Sequence, residues 1–281
     1  MTCVTNPRCP STPLYQAVLL FYCSSLTYER FGSSCLSGWP IPWYFFKFVA
    51  QRFHRLNNTS TTDLDMFDIT RQVVEAKQTS CTVEERRLFL TACGEVARRL
   101  RCSRHVIHCI EIHPLMSVGY KASAAMAYRV NIDAEIMMVC KDTITIVEDF
   151  FLPTVNSCED EILFQKTVGD YSRYLAQVST DIEFRDNCER ALMAYESASS
   201  FAAAALPPTH PLRLSVATNF AIFHHTILRN RAEAINISRS AFRQAMDHIS
   251  ELEEGTYQDS VNILLVLKQN LMNWGFVFVS G

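Results

Sequence analysis

The placement of proline constrains this chain more than any other feature. Five of the ten prolines lie between positions 7 and 42, residues 43–206 hold only Pro114 and Pro153, and none follows Pro211. Proline lacks a backbone donor and clashes with the preceding turn, so its absence marks where long helices are permitted. Glycine points the same way: with 8 in 281 residues, the chain is poorly supplied for the tight turns and phosphate loops of β-rich and nucleotide-binding folds. An all-helical, soluble, single-domain protein is expected. Residues 1–43, rich in Pro, Ser, Cys and aromatics, read as an irregular extension outside it.

The charge balance narrows the function classes. Lys+Arg 26 against Asp+Glu 29 leaves a net charge of −3, which disfavours a nonspecific nucleic-acid or membrane-surface protein. Eleven cysteines, an odd number with no Cys-x-x-Cys, do not form a secreted disulfide framework and read as small apolar residues in a reducing compartment. The apolar run Ala17-Val-Leu-Leu-Phe-Tyr-Cys23 is too short to span a bilayer, and no signal peptide is expected there. A cytoplasmic protein follows, in which the Asn-x-Ser/Thr triplets at Asn57, Asn58 and Asn236 carry no glycan.

Helix ends are readable. Thr82-Val-Glu-Glu85 has the form of a capping box and opens a helix that Pro114 ends, with Leu88, Phe89, Ala92, Val96, Val106, Ile107 and Ile110 at inward spacing. A second long helix is expected from about 122 to 151, stopped by Pro153, with Ile132, Ile136, Val139, Ile146 and Val147 inward. Further helices are expected near 159–179, 185–205, 211–229, 232–251 and 257–274, with Pro211 in a first turn and Gly255-Thr256 between the last two. Short connections between such helices imply antiparallel neighbours in a bundle or solenoid.

No standard catalytic motif is present: there is no Gly-rich phosphate loop, no His-Glu-x-x-His and no Gly-x-Ser-x-Gly. No catalytic residue, cofactor or metal is therefore expected. Cys102, His105, Cys109 and His113 fall along one helical stripe and are zinc-ligand types. A straight helix cannot close a tetrahedron from four residues over three turns, although it can offer two ligands at i and i+3 or i+4. The stripe is read as a packed cysteine face with exposed histidines. More informative is a polar set spread over several helices: Arg101, then Lys166 and Arg173 seven apart, then Asn219 and Asn270 interrupting apolar runs. Singly, each has an ordinary structural explanation. Together, guanidiniums suit an anion and carboxamides suit an extended peptide backbone.

Three blocks give the set a context: Gly169-Asp-Tyr-Ser-Arg-Tyr-Leu-Ala-Gln-Val178, Pro208-Thr-His-Pro-Leu-Arg-Leu214 with Asn219-Phe220, and Tyr257-Gln-Asp-Ser260 with Asn270-Leu-Met-Asn-Trp274. They resemble the 14-3-3 proteins, as do Glu84-Glu-Arg86 and Phe150-Phe-Leu-Pro153, over roughly residues 64–274. The resemblance implies an antiparallel bundle of about nine helices spanning 44–274, forming one half of a cup-shaped dimer. The amphipathic stretch 44–56 would be its first helix, and 275–281 a short apolar tail in place of an acidic one. It further implies a phosphoserine/phosphothreonine-peptide-binding adaptor without catalysis, acting on phosphorylated client proteins as a homodimer or as a heterodimer with another family member. By resemblance, Arg101, Arg173, Tyr174 and Lys166 bind phosphate. Asn219 and Asn270 hold the peptide main chain, Ile222, Ile263 and Val266 form an apolar wall, and Trp274 closes the groove's end. Ser103, Ile107, Ile110 and Tyr128 resemble dimer-interface residues. The departures are Gly94 and His105 where the family has basic residues, Thr226 for a glutamate, Thr218 and Asn273 for apolar groove residues, and Met66 with Asn131 for a salt-bridged pair. A weakened phosphate pocket is one consequence. A scaffold that has lost phosphate dependence and acts through unphosphorylated partners or heterodimerisation is the alternative.

Overall fold

The computed structural model describes residues 61–112, 120–251, 255 and 257–277. The expected helix at 44–56, His113, Pro114, Thr256 and the end of the apolar tail lie outside the described residues. Eight α-helices and no strand are found among the described residues: α1 Thr61–Lys77, α2 Val83–Ile112, α3 Tyr120–Ile146, α4 Cys158–Ala176, α5 Asp181–Ala205, α6 Pro211–Thr226, α7 Arg231–Asp247 and α8 Tyr257–Asn273. None is long and apolar enough to cross a membrane. The fold is an antiparallel helical bundle. Each helix packs on its successor, and α6 also packs on both α4 and α8. These three helices, with Arg101 from α2 and Tyr195 from α5, carry the candidate site.

The helix starts follow from local chemistry. At α2 the Thr82 N–H donates to Glu85 Oε2 at 3.0 Å while Thr82 Oγ1 accepts from the Glu85 N–H at 3.3 Å, the reciprocal box expected there. Ser157 caps α4, Asn230 caps α7, and His210 Nδ1 accepts from the Leu212 N–H just after Pro211 opens α6. At the far end of α8, Gly275 takes a left-handed φ of +74°, and the Phe276 and Gly275 N–H groups return to Leu271 and Met272 carbonyls. This Schellman motif satisfies carbonyls that the helix leaves open.

Two sequence expectations are corrected. Phe89, Ala92, Val96, Val106, Ile107 and Ile110 of α2 are buried, but Leu88 is 56% exposed. It lies beside Phe89 on a helix whose buried stripe is too narrow for both. The helix expected to run to Phe151 is regular only to Ile146; Val147–Phe151 widens into a π-turn and Leu152–Thr154 tightens into a 3₁₀ turn at Pro153. The π-turn sets Phe151 into an aromatic ladder. Phe67 of α1, Phe89 of α2, Phe151 and Phe164 of α4 follow one another at centroid separations of 6.2, 5.9 and 5.4 Å. Arg86 covers the Phe151 ring and donates to Thr154 Oγ1 at 2.8 Å, joining the start of α2 to the turns that follow α3.

Candidate functional site

Lys166, Asp170 and Arg173 recur on α4 at helical spacing and so share a face. Asp170 is the hub of that face. Its Oδ2 accepts from Lys166 Nζ at 2.7 Å and from Asn219 Nδ2 of α6 at 2.9 Å. Its Oδ1 accepts from the Tyr195 hydroxyl of α5 at 2.5 Å and from Asn219 Nδ2 at 2.7 Å, and lies 3.7 Å from Arg173 Nη2. Arg173 is 4% exposed, and its Nε donates to the Tyr195 oxygen at 3.1 Å. The phenol thus donates to the carboxylate and accepts from the guanidinium. Three helices are tied together by one buried carboxylate.

Burial by itself raises a carboxyl group's pKa, and it is the largest influence on Asp170. The charges of Lys166 and Arg173, with hydrogen bonds from Lys166 and Tyr195, outweigh it and hold Asp170 below the usual carboxylate range. Burial and the neighbouring Asp170 push the Tyr195 phenol well above its ordinary value, so it stays a neutral hydroxyl. Burial works against the charge of Arg173, but Tyr195, Tyr174 and Asp170 more than offset it and raise its pKa. Asp170 and Arg173 are held charged where they are buried, at a cost in desolvation that the dense pairing offsets.

Arg101 comes from α2. Its guanidinium carbon lies 4.0 Å from the centroid of the Tyr174 ring, and that of Arg173 lies 4.6 Å from the same centroid. Residues 72 positions apart in sequence are brought to one ring. Arg101 Nε is buried with no hydrogen-bond partner among the described residues. Seven residues before Arg101, Gly94 is exposed, and a Cβ built there would meet nothing within 4 Å. Thr226, where the resemblance expects a glutamate, donates its hydroxyl to the Ile222 carbonyl at 2.7 Å. The space for a lysine at 94 is open, and neither charge of the expected pair is present.

The asparagines are oriented by their surroundings. A carboxylate only accepts, so the Asn219 nitrogen must face Asp170 and its oxygen is what remains to offer a ligand. Asn270 Nδ2 is buried and has no partner among the described residues, so it has a donor to offer. Ile222, Ile263 and Val266 are half-buried on α6 and α8. Thr218 is buried and bonds back to the Leu214 carbonyl, which removes its hydroxyl from competition; Asn273 is exposed and accepts from Gln269. Trp274 sits deeper than a residue closing a groove: it is buried against Ala221 and Ala234, stacks on His225 at 4.7 Å, and its carbonyl accepts from Arg231 Nε.

On the remaining positions, His105 lies one turn beyond Arg101 on α2, with its Nε2 3.6 Å from Cys109 Sγ. Burial, and then the nearby His108, lower its pKa, so it is neutral at physiological pH and does not replace a basic residue. Ser103, Ile107 and Ile110 are buried, and Tyr128 is half-buried beside exposed Met126 and Val130 of α3. Met66 is half-buried and Asn131 exposed. All seven described cysteines are free thiols; Cys81, Cys93 and Cys140 are buried, and Cys158 is exposed. Sequence reasoning missed Asp170 and Tyr195 as site residues. Asp170 had a signal, a carboxylate between two cations on one helical face. Tyr195, on another helix, had none.

These observations define an all-helical protein in which α2, α4, α6 and α8 carry the two arginines, the lysine and the two asparagines of the candidate site. The family model "14-3-3 protein" matches residues 54–275. A 14-3-3-like protein of Solanum tuberosum is 35% identical over 213 residues, 75% of this chain and 82% of the relative. The 14-3-3 protein epsilon of Drosophila melanogaster is 34% identical over 202 residues (72% and 77%), and the 14-3-3-like protein A of Glycine max 37% over 195 residues (69% and 76%). The chain belongs to the 14-3-3 family. The match begins ten residues before the point at which the sequence motifs become legible, and membership supports a role as an adaptor or regulator.

Proposed function

We propose that this protein binds phosphoserine or phosphothreonine peptides of client proteins through Arg101, Arg173, Tyr174 and Lys166, with a pocket weakened by the glycine at 94. The observation that carries the reading is the convergence of two guanidiniums from α2 and α4 on the Tyr174 ring. A phosphate carries about −1.5 to −2 charge at neutral pH, and two arginines can neutralise it with bidentate hydrogen bonds. Asn219 accepts from a peptide N–H and Asn270 donates to a peptide carbonyl, while Ile222, Ile263, Val266 and Trp274 support the apolar side. The protein acts by holding clients rather than by catalysis, in the cytoplasm, and as a homodimer or heterodimer through the region of Ser103, Ile107, Ile110 and Tyr128. Isothermal titration of one peptide with and without its phosphate tests this: the phosphorylated form binds tighter if the reading is right, and equal affinities contradict it.

A second reading is favoured by one feature. Lys166 and Arg173 share the charge of Asp170, so Arg101 is the member of the cation set without a carboxylate partner among the described residues. A scaffold that has lost phosphate dependence and takes unphosphorylated partners is consistent with that reduced charge. Equal binding of the two peptides, at measurable affinity, supports it.

A further inference from the structure

We propose that Arg98 is a third arginine of the phosphate site, reaching the anion across the gap that Gly94 leaves on α2. The role rests on the phosphopeptide reading above and falls to a residue that the resemblance does not assign. Gly94, Arg98 and Arg101 stand at i, i+4 and i+7 within the single helix Val83–Ile112, so they lie along one stripe. Arg101, the last of the three, reaches the Tyr174 ring. Side chains three or four residues apart on a helix have Cβ atoms about 5–6 Å apart. Arg98 therefore begins one turn from the open position and one turn from Arg101. The positive charge missing at 94 stands one turn later on the same face.

The direction of the side chain supports this. Long side chains on a helix lean toward its N-terminus, so Arg98 covers the turn that holds residues 94 and 95. Its Nε and Nη2 both donate to Glu95 Oε2, at 3.2 and 2.5 Å, which fixes the guanidinium over that turn. Gly94 has no side chain, and a Cβ built there would meet nothing within 4 Å. The guanidinium thus has room to turn from Glu95 across the glycine. The side chains of Arg98 and Glu95 are 46% and 44% exposed, and an ion pair this open to water is weak. A phosphate carries about −1.5 to −2 charge and several acceptor oxygens, so it competes well with one carboxylate for an arginine fork. Arg98 rests on Glu95 in the empty site and transfers to the phosphate when a peptide binds.

The test measures dissociation constants of one phosphopeptide and its unphosphorylated form, at one salt concentration, for the full chain and its variants. Arg98→Ala should weaken the phosphopeptide about threefold and leave the unphosphorylated form unchanged. Arg239→Ala removes an exposed arginine of α7, costs the same net charge and should leave both affinities unchanged. Glu95→Gln should tighten the phosphopeptide about twofold, but not when combined with Arg98→Ala. Gly94→Lys fills the gap, so Arg98→Ala should weaken that variant less than it weakens the wild type. Unchanged phosphopeptide affinity in Arg98→Ala, in a wild type that prefers the phosphate, overturns the role of Arg98 and leaves the phosphopeptide reading standing. An equal loss in Arg239→Ala, or a Glu95→Gln gain that persists without Arg98, overturns it too, as a general effect of charge. A wild type that does not prefer the phosphate defeats the phosphopeptide reading, and the role of Arg98 with it.

Discussion

The ring of Tyr195 fills the space that a side chain at Gly169 would need: a Cβ at 169 would stand 2.9 Å from the ring's Cδ1 and Cε1. That close approach lets the phenol reach Asp170 and Arg173 together. Tyr195→Phe keeps the ring on Gly169 and removes only the oxygen. It leaves the Arg173 Nε donor buried and unpaired and takes one donor from Asp170, so it should destabilise the fold by about 1–3 kcal/mol. Denaturant unfolding measures this. A wild-type midpoint would mean that the hydroxyl does not hold the cluster.

Gly94→Lys tests the open space on α2. The added side chain meets no neighbour at its Cβ, and replacing a helix-interior glycine should stabilise the helix by several tenths of a kcal/mol, roughly 0.5. A third cation should also tighten a phosphorylated peptide while changing the unphosphorylated one little. Thermal melts and paired titrations give both numbers. A loss of phosphopeptide affinity would show that residue 94 does not face the anion.

Asp170 should make stability acid-sensitive. Its folded pKa lies below the unfolded value of about 3.9, so its contribution is complete above that value and is lost as pH falls through the folded pKa. The groups facing it are Lys166, Arg173, Tyr195 and Asn219. Asp170→Asn should therefore be less stable than wild type at pH 7, with the gap closing below about pH 4. Denaturant midpoints across that range are the measurement. A gap that stays constant with pH would detach the carboxylate from the account.

Met126 and Val130, each 57% exposed, flank Tyr128 on α3. With Met66 and Asn131 in place of a charged pair, the dimer should be held by apolar contact and be insensitive to salt. Sedimentation at low and high salt should show the same dimer, and Met126→Asp combined with Val130→Asp should give monomer. A wild-type monomer at micromolar concentration would contradict this.

Much of the fold was legible because local rules governed it. The Thr82–Glu85 box, Pro211 in a first turn and the buried stripe through Phe89, Val96 and Ile107 all follow from spacing along one helix. Leu88 was misplaced because periodicity gives a stripe's direction better than its width. The helix Thr61–Lys77 was not delimited in advance; it has no proline or glycine at its ends to mark it. At the candidate site, Arg173 and Tyr174 lie within one quoted block and Arg101 was reached through the resemblance, while the pairing of Asn219 and Lys166 with Asp170 was not legible. Their partner Asp170 lies in the same block as Arg173, but the fifth member of the cluster, Tyr195, is placed only by the packing of α5 against Gly169. His105 was read as an exposed histidine beside the cysteines; it is half-buried, and burial, which spacing does not report, lowers its pKa.

The central claim is that Arg101 and Arg173 jointly hold a phosphate over Tyr174. It is tested most directly by dissociation constants of one phosphopeptide and its unphosphorylated form for wild type, Arg101→Ala and Arg173→Ala at a single salt concentration. A charge-assisted hydrogen bond contributes about 1.5–3 kcal/mol, so loss of either arginine should weaken the phosphopeptide by about tenfold or more. The unphosphorylated peptide should change little. If the wild type does not prefer the phosphorylated peptide, or if both alanine variants retain that preference in full, the two guanidiniums do not form a phosphate site.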